Sequence, residues 1–109
     1  MAVLTVSTAV LAGALLGATA ANTGTAGDEF LNDGRVVLYA KNTSGGAVVV
    51  TIDAQSIRGI SFVDPTVSLD NGAEKVIGPF NPQYFNNSSG YLAFTVDGAL
   101  SVAPVRINT

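Results

Sequence analysis

The stretch RVVLYAK (35–41), NTSGG (42–46) and AVVVTIDA (47–54) decides the fold class. In the first run Val36, Leu38 and Ala40 share one face, with Arg35, Tyr39 and Lys41 on the other. In the last, Val48, Val50, Ile52 and Ala54 alternate with residues that include Thr51 and Asp53. A period of two with one apolar side marks a half-buried strand, and β-branched side chains suit a pleated surface. The connector is short and built of Asn, Thr, Ser and Gly, so the two runs read as a β-hairpin.

Working outward, short β runs alternate with turn signals. Glu29-Phe30-Leu31 is a short strand closed by Asn32-Asp33-Gly34, residues that tolerate positive φ. Downstream, Ile57 to Val63 is a weaker run broken by Asp64-Pro65, then come Thr66 to Leu69, the turn Asp70-Asn71-Gly72 and the strand Lys75-Val76-Ile77. Pro79 and Pro82 argue against both a helix and a paired interior strand, so a long loop is expected through Gly90. Tyr91 to Val96 puts Leu92, Phe94 and Val96 on one face, and Asp97-Gly98 predicts a second hairpin to Ala99–Ile107. Within that last run Leu100 and Val102 point inward, Pro104 predicts an edge or bulge, and Val105 and Ile107 return to the core. The expectation is an all-β chain: a small antiparallel β-sandwich or jelly-roll-like barrel over residues 28–109, with an extended N-terminal arm or edge strand over residues 1–27.

That arm is apolar and uncharged. Val10 to Leu16 followed by Ala18-Thr19-Ala20 has the look of a secretory leader, but no Lys or Arg precedes it and Thr5, Ser7 and Thr8 interrupt its start. Gly13 and Gly17 have the spacing of a membrane-helix contact, in a segment rich in small and hydroxyl residues without flanking charges. The β-prone Val3-Leu4-Thr5-Val6-Ser7 favours an arm that is retained and lies against protein, on its own sheet or on a neighbouring subunit.

Composition narrows the function. The 109 residues are 48% hydrophobic and only 12% charged, half the usual charged share, with a net charge of −3. Five basic residues, Arg35, Lys41, Arg58, Lys75 and Arg106, are too scattered to neutralise a phosphate backbone, so no nucleic-acid partner is expected. Without Cys there are no disulfides or thiolate chemistry, and without His the usual acid–base group at neutral pH is missing. Asp28, Glu29, Asp33, Asp53, Asp64, Asp70, Glu74 and Asp97 fall mostly in turns, where local hydrogen bonding explains them. Asp28, Glu29, Asn32 and Asp33 gather oxygen ligands as a calcium loop would, but out of the order an EF-hand requires. Asn42-Thr43-Ser44, Asn86-Asn87-Ser88 and Asn87-Ser88-Ser89 fit the glycosylation pattern. Tyr84, Phe85 and Tyr91 are candidate stacking residues for a secreted carbohydrate-binding module, or the aromatic closure of a sandwich. No catalytic, cofactor-binding or metal-binding set is assigned; the expectation is a non-enzyme that acts through its surface.

Several pieces carry a resemblance: Leu4-Thr5-Val6; Gly27-Asp28-Glu29-Phe30-Leu31-Asn32-Asp33-Gly34-Arg35; Leu38-Tyr39-Ala40-Lys41-Asn42; Val49-Val50-Thr51-Ile52; and Val76-Ile77-Gly78-Pro79-Phe80. In that order they resemble small head-region proteins of tailed bacteriophages, with Ala9 to Ala21 richer in Ala and Gly than the family pattern. The resemblance implies a virion protein that decorates or cements the capsid, with the major capsid protein as partner. Combined with the apolar arm, it leads to the expectation of a homo-oligomer, a trimer, at three-fold positions of the shell. A head-completion or tail component of the same virus is the alternative, and a secreted β-sandwich binding module the rival class.

Overall fold

Ten strands and one helical turn are described by the computed structural model, which covers residues 2–4, 6–8, 19–20, 27–56, 59–60 and 62–107. The strands are β1 (Ala2–Leu4), β2 (Ser7–Thr8), β3 (Thr19–Ala20), β4 (Asp28–Leu31), β5 (Val36–Lys41), β6 (Val48–Ile52), β7 (Thr66–Leu69), β8 (Glu74–Ile77), β9 (Tyr91–Val96) and β10 (Ser101–Arg106); the helix α1 is Pro82–Phe85. One sheet runs β1-β4-β9-β6-β7 and the other β2-β10-β5-β8, with β3 also paired to β10. Apolar side chains of both sheets meet in one core of Phe30, Val36, Leu38, Ala40, Val48, Val50, Ile52, Leu69, Ile77, Phe80, Leu92, Phe94, Val96, Leu100 and Val102. The expected β-sandwich is therefore the fold. The inward faces read from the period of two hold for β5, β6 and β9.

The strand pairing departs from expectation. Neither predicted hairpin exists: β5 pairs with β10 and β8, β6 pairs with β9 and β7, and the 42–47 segment carries the chain from one sheet to the other. The 97–100 segment does the same between β9 and β10. The cause lies in Asn42, fully buried at the end of β5, whose Nδ2 donates to Leu69 O of the opposite sheet (2.8 Å) and to Gly46 O (2.7 Å). Its backbone is held by the 70–73 connection, through Asn42 N to Ala73 O and Gly72 N to Asn42 O. At the other connection Asp97 Oδ1 accepts Val49 N (2.8 Å), which ties Asp97 to β6. Gly98 there lacks the positive φ of a type I′ turn and is needed for space, since a Cβ would lie 3.0 Å from Val48 Cγ2.

Two proline expectations are also corrected. Pro82 opens a helical turn instead of forbidding one, because the first helical position needs no N–H; Asn81 caps it by accepting Gln83 N at its Oδ1 (2.9 Å). Pro104 makes no bulge, and the register of β10 against β5 is unbroken from Ser101↔Lys41 to Arg106↔Val36. On the other side of β10, β3 pairs with 101–102 and β2 with 105–106, so Pro104 falls where that edge is interrupted and no ladder needs its nitrogen. Val105 is buried as expected, opposite Val37 and to one side of the main cluster, whereas Ile107 is exposed.

The described part of the arm is built into both sheets. β1 pairs in parallel with β4, β2 in parallel with β10, and Leu4 and Val6 pack against the core. Residues 9–18 and 21–26 of the arm, and 57, 58 and 61 of the weak Ile57–Val63 run, lie outside the described residues.

Candidate interaction surface

Strand directions sort the connections onto two ends. The 42–47, 70–73 and 97–100 segments share one, held by short bonds such as Gly45 N to Asn71 Oδ1 (3.0 Å). The 32–35, 53–65 and 78–90 segments share the other. There Asn32 and Asn86 clasp each other: Asn32 Nδ2 donates to Asn86 Oδ1 (2.7 Å), and Asn86 Nδ2 donates back to Asn32 O (2.7 Å). Asn32 Nδ2 also reaches Phe80 O, and Gln55 N donates to Tyr84 O (2.7 Å), so three loops become one unit.

From this anchored end an apolar group projects. Ile60 is 61% exposed, Phe62 41%, Val63 93% and Tyr84 38%, with the Phe62 and Tyr84 rings edge to face at 5.4 Å. The roots of the 53–65 segment are fixed by Ile52 N to Pro65 O (2.9 Å) and Ala54 N to Asp64 Oδ1 (2.8 Å). Apolar side chains held in water by a pinned loop are a contact surface more readily than a packing accident. Asp53 and Asp64 line a cavity of about 150 Å³ beside them, with Thr51, Ala93 and Thr95. A second cavity, of about 350 Å³, opens on the other sheet at the same end, lined by Gly34, Arg35, Val37, Pro79 and Ile107.

The residues singled out in the sequence do not assemble into a chemical site. Asp28 is buried while Glu29 follows it on the opposite face of β4; Asn32 is spent on Asn86 and Phe80. Asp33 Oδ1 accepts Arg35 N, and its Oδ2 lies 3.0 Å from Arg106 Nε, near enough to attract but out of line for a hydrogen bond. The four side chains are thus not gathered as one ligand set, and among the described residues no three His, Cys, Asp or Glu side chains are grouped to hold a metal. Asn42 is sealed and its amide used, as is that of Asn86, so neither can take a glycan without breaking those bonds. Of the stacking aromatics, Phe85 packs edge to face on Phe80 at 5.7 Å and only Tyr84 belongs to the projecting group, so the three form no flat platform.

No family model, no curated protein and no solved structure matches the chain. Among the described residues no helix is long and apolar enough to cross a membrane.

What sequence reading missed is the Ile60, Phe62 and Val63 group and its meeting with Tyr84. A run read as a weak strand gave no sign that its apolar residues would be turned outward. The available signal was Gly59 within it and Asp64-Pro65 after it, which mark a protruding loop as well as a broken strand.

Proposed function

We propose that the protein is a virion structural protein that decorates or cements a bacteriophage capsid by binding between major capsid subunits, as a homotrimer. The observation that carries this reading is the apolar group Ile60, Phe62, Val63 and Tyr84, exposed on a loop fixed at both roots. Such a surface suits standing contact with another protein, where each Å² of apolar area removed from water is worth about 25 cal/mol. The low charge of the chain and its resemblance to phage head-region proteins support the same reading. The contact is assigned to the loop end and not to the start of the arm, because Leu4 and Val6 are already used by the chain's own core.

Mass spectrometry of purified particles with copy counting tests the reading. Hundreds of copies per particle are expected of a shell protein, whereas about six or twelve would move it to a ring-shaped connector. Absence from particles would end it.

A further inference from the structure

Two features at the loop end fit each other and cannot meet within one molecule. The first is the projecting group of Ile60, Phe62 and Val63 with the carboxylates of Asp53 and Asp64 beside it. The second is the cavity of about 350 Å³ walled by Val37, Pro79 and Ile107, with Arg35 at its rim. One hangs from the β6–β7 edge of one sheet; the other opens on the opposite sheet, at the start of β5 and the end of β10.

We propose that the projecting loop of one copy seats Val63 in this cavity of a second copy, with Asp53 and Asp64 facing the second copy's Arg35. Charge complementarity selects the occupant. Arg35 is exposed, and its guanidinium makes no ion pair with a described residue, whereas Arg106, the other basic residue among those described at this end, is matched by Asp33. An apolar cavity with one unmatched cation at its rim fits an apolar side chain followed by an acid, which is the order Val63-Asp64. The same two acids disfavour an anionic lipid surface as the partner. The contact is head to tail, so each copy offers one loop and one cavity, and the copies form a closed ring if the rotation between neighbours closes. The inference rests on the proposed homotrimer and deepens it by placing the loop contact between copies; its test on the protein alone in solution is separate from copy counting on particles.

Sedimentation velocity of the full chain over a range of concentrations tests it, with thermal melts to verify folding. The wild type should self-associate. Val63→Asp and Arg35→Glu, both at exposed positions, should each lower the association constant at least about tenfold while the melt is unchanged. An equimolar mixture of the two variants is the decisive arm: the intact loop of the Arg35→Glu chain still fits the intact cavity of the Val63→Asp chain. It should give a one-to-one dimer and nothing larger. A wild type that stays monomeric, variants that associate like wild type, or a mixture without dimer would each overturn the proposal. So would a wild type that stays monomeric but floats with neutral phosphatidylcholine vesicles, which would make the loop a lipid contact.

Discussion

Asn42 shows how much one side chain can hold. Its amide gives hydrogens to Gly46 O and Leu69 O, while its Oδ1 accepts Ser44 N (2.9 Å) and Ser44 Oγ (2.7 Å). Asn42→Ala should lower stability in urea titration by roughly 2–4 kcal/mol, since a buried carbonyl loses its partner as well as the bonds themselves. Asn42→Asp should be worse at neutral than at acid pH, because a carboxylate would face two carbonyl oxygens. Tyr39 is a milder case on the surface: its hydroxyl donates to Glu74 Oε2 at 2.6 Å, and that bond, then burial, then the carboxylate's charge raise its pKa above 10.0. A raised folded pKa means the folded state holds the proton longer. The contribution is therefore complete below the unfolded value and lost as pH rises through the folded one. Ultraviolet titration should show Tyr39 ionising late, and Glu74→Gln should move it earlier.

At the scale of elements, β1 and β2 are the test pieces. Each is too short to persist alone, and each completes the edge of a different sheet. Removing residues 1–8 strips Leu4 and Val6 from the core and bares β4 and the 105–106 end of β10. The truncated protein should melt at a lower temperature and aggregate on heating, both readable by calorimetry with light scattering. Elements were the legible part of the sequence. The runs around Phe30, Val36–Lys41, Val48–Ile52, Thr66–Leu69 and Tyr91–Val96 announce strands because alternation is a local property. Partnership is not local. A buried face followed by Asn-Thr-Ser-Gly-Gly looks the same whether the chain folds back beside itself or crosses to the facing sheet, and both choices bury the same residues. The deciding bond, Asn42 to Leu69 O, spans 27 positions.

For the whole molecule, only one pair of strands adjacent in sequence, β6 and β7, is also paired in space among the described residues, and they are joined by the 53–65 loop. Every other pairing waits on distant segments. Refolding after dilution from urea should therefore fall in the millisecond-to-second range of sandwiches and not the microsecond range of bundles, as stopped-flow tyrosine fluorescence can measure. The same topology gathers the 53–65 and 78–90 loops at one end, which made the candidate surface invisible in sequence: Phe62 and Tyr84 meet ring to ring, 22 positions apart, with Gln55 N on Tyr84 O tying the two loops together. Pro104 has a consequence of another kind. The outer neighbour of β10 comes in two pieces, β3 and β2, that stop on either side of Pro104. A foreign strand laid along β10 in their place would find an acceptor of its own left without a hydrogen at the proline. The edge can thus be copied only by a guest broken at the same point, which bars straight-strand templating into fibrils from that side while leaving the chain's own divided arm a matching fit.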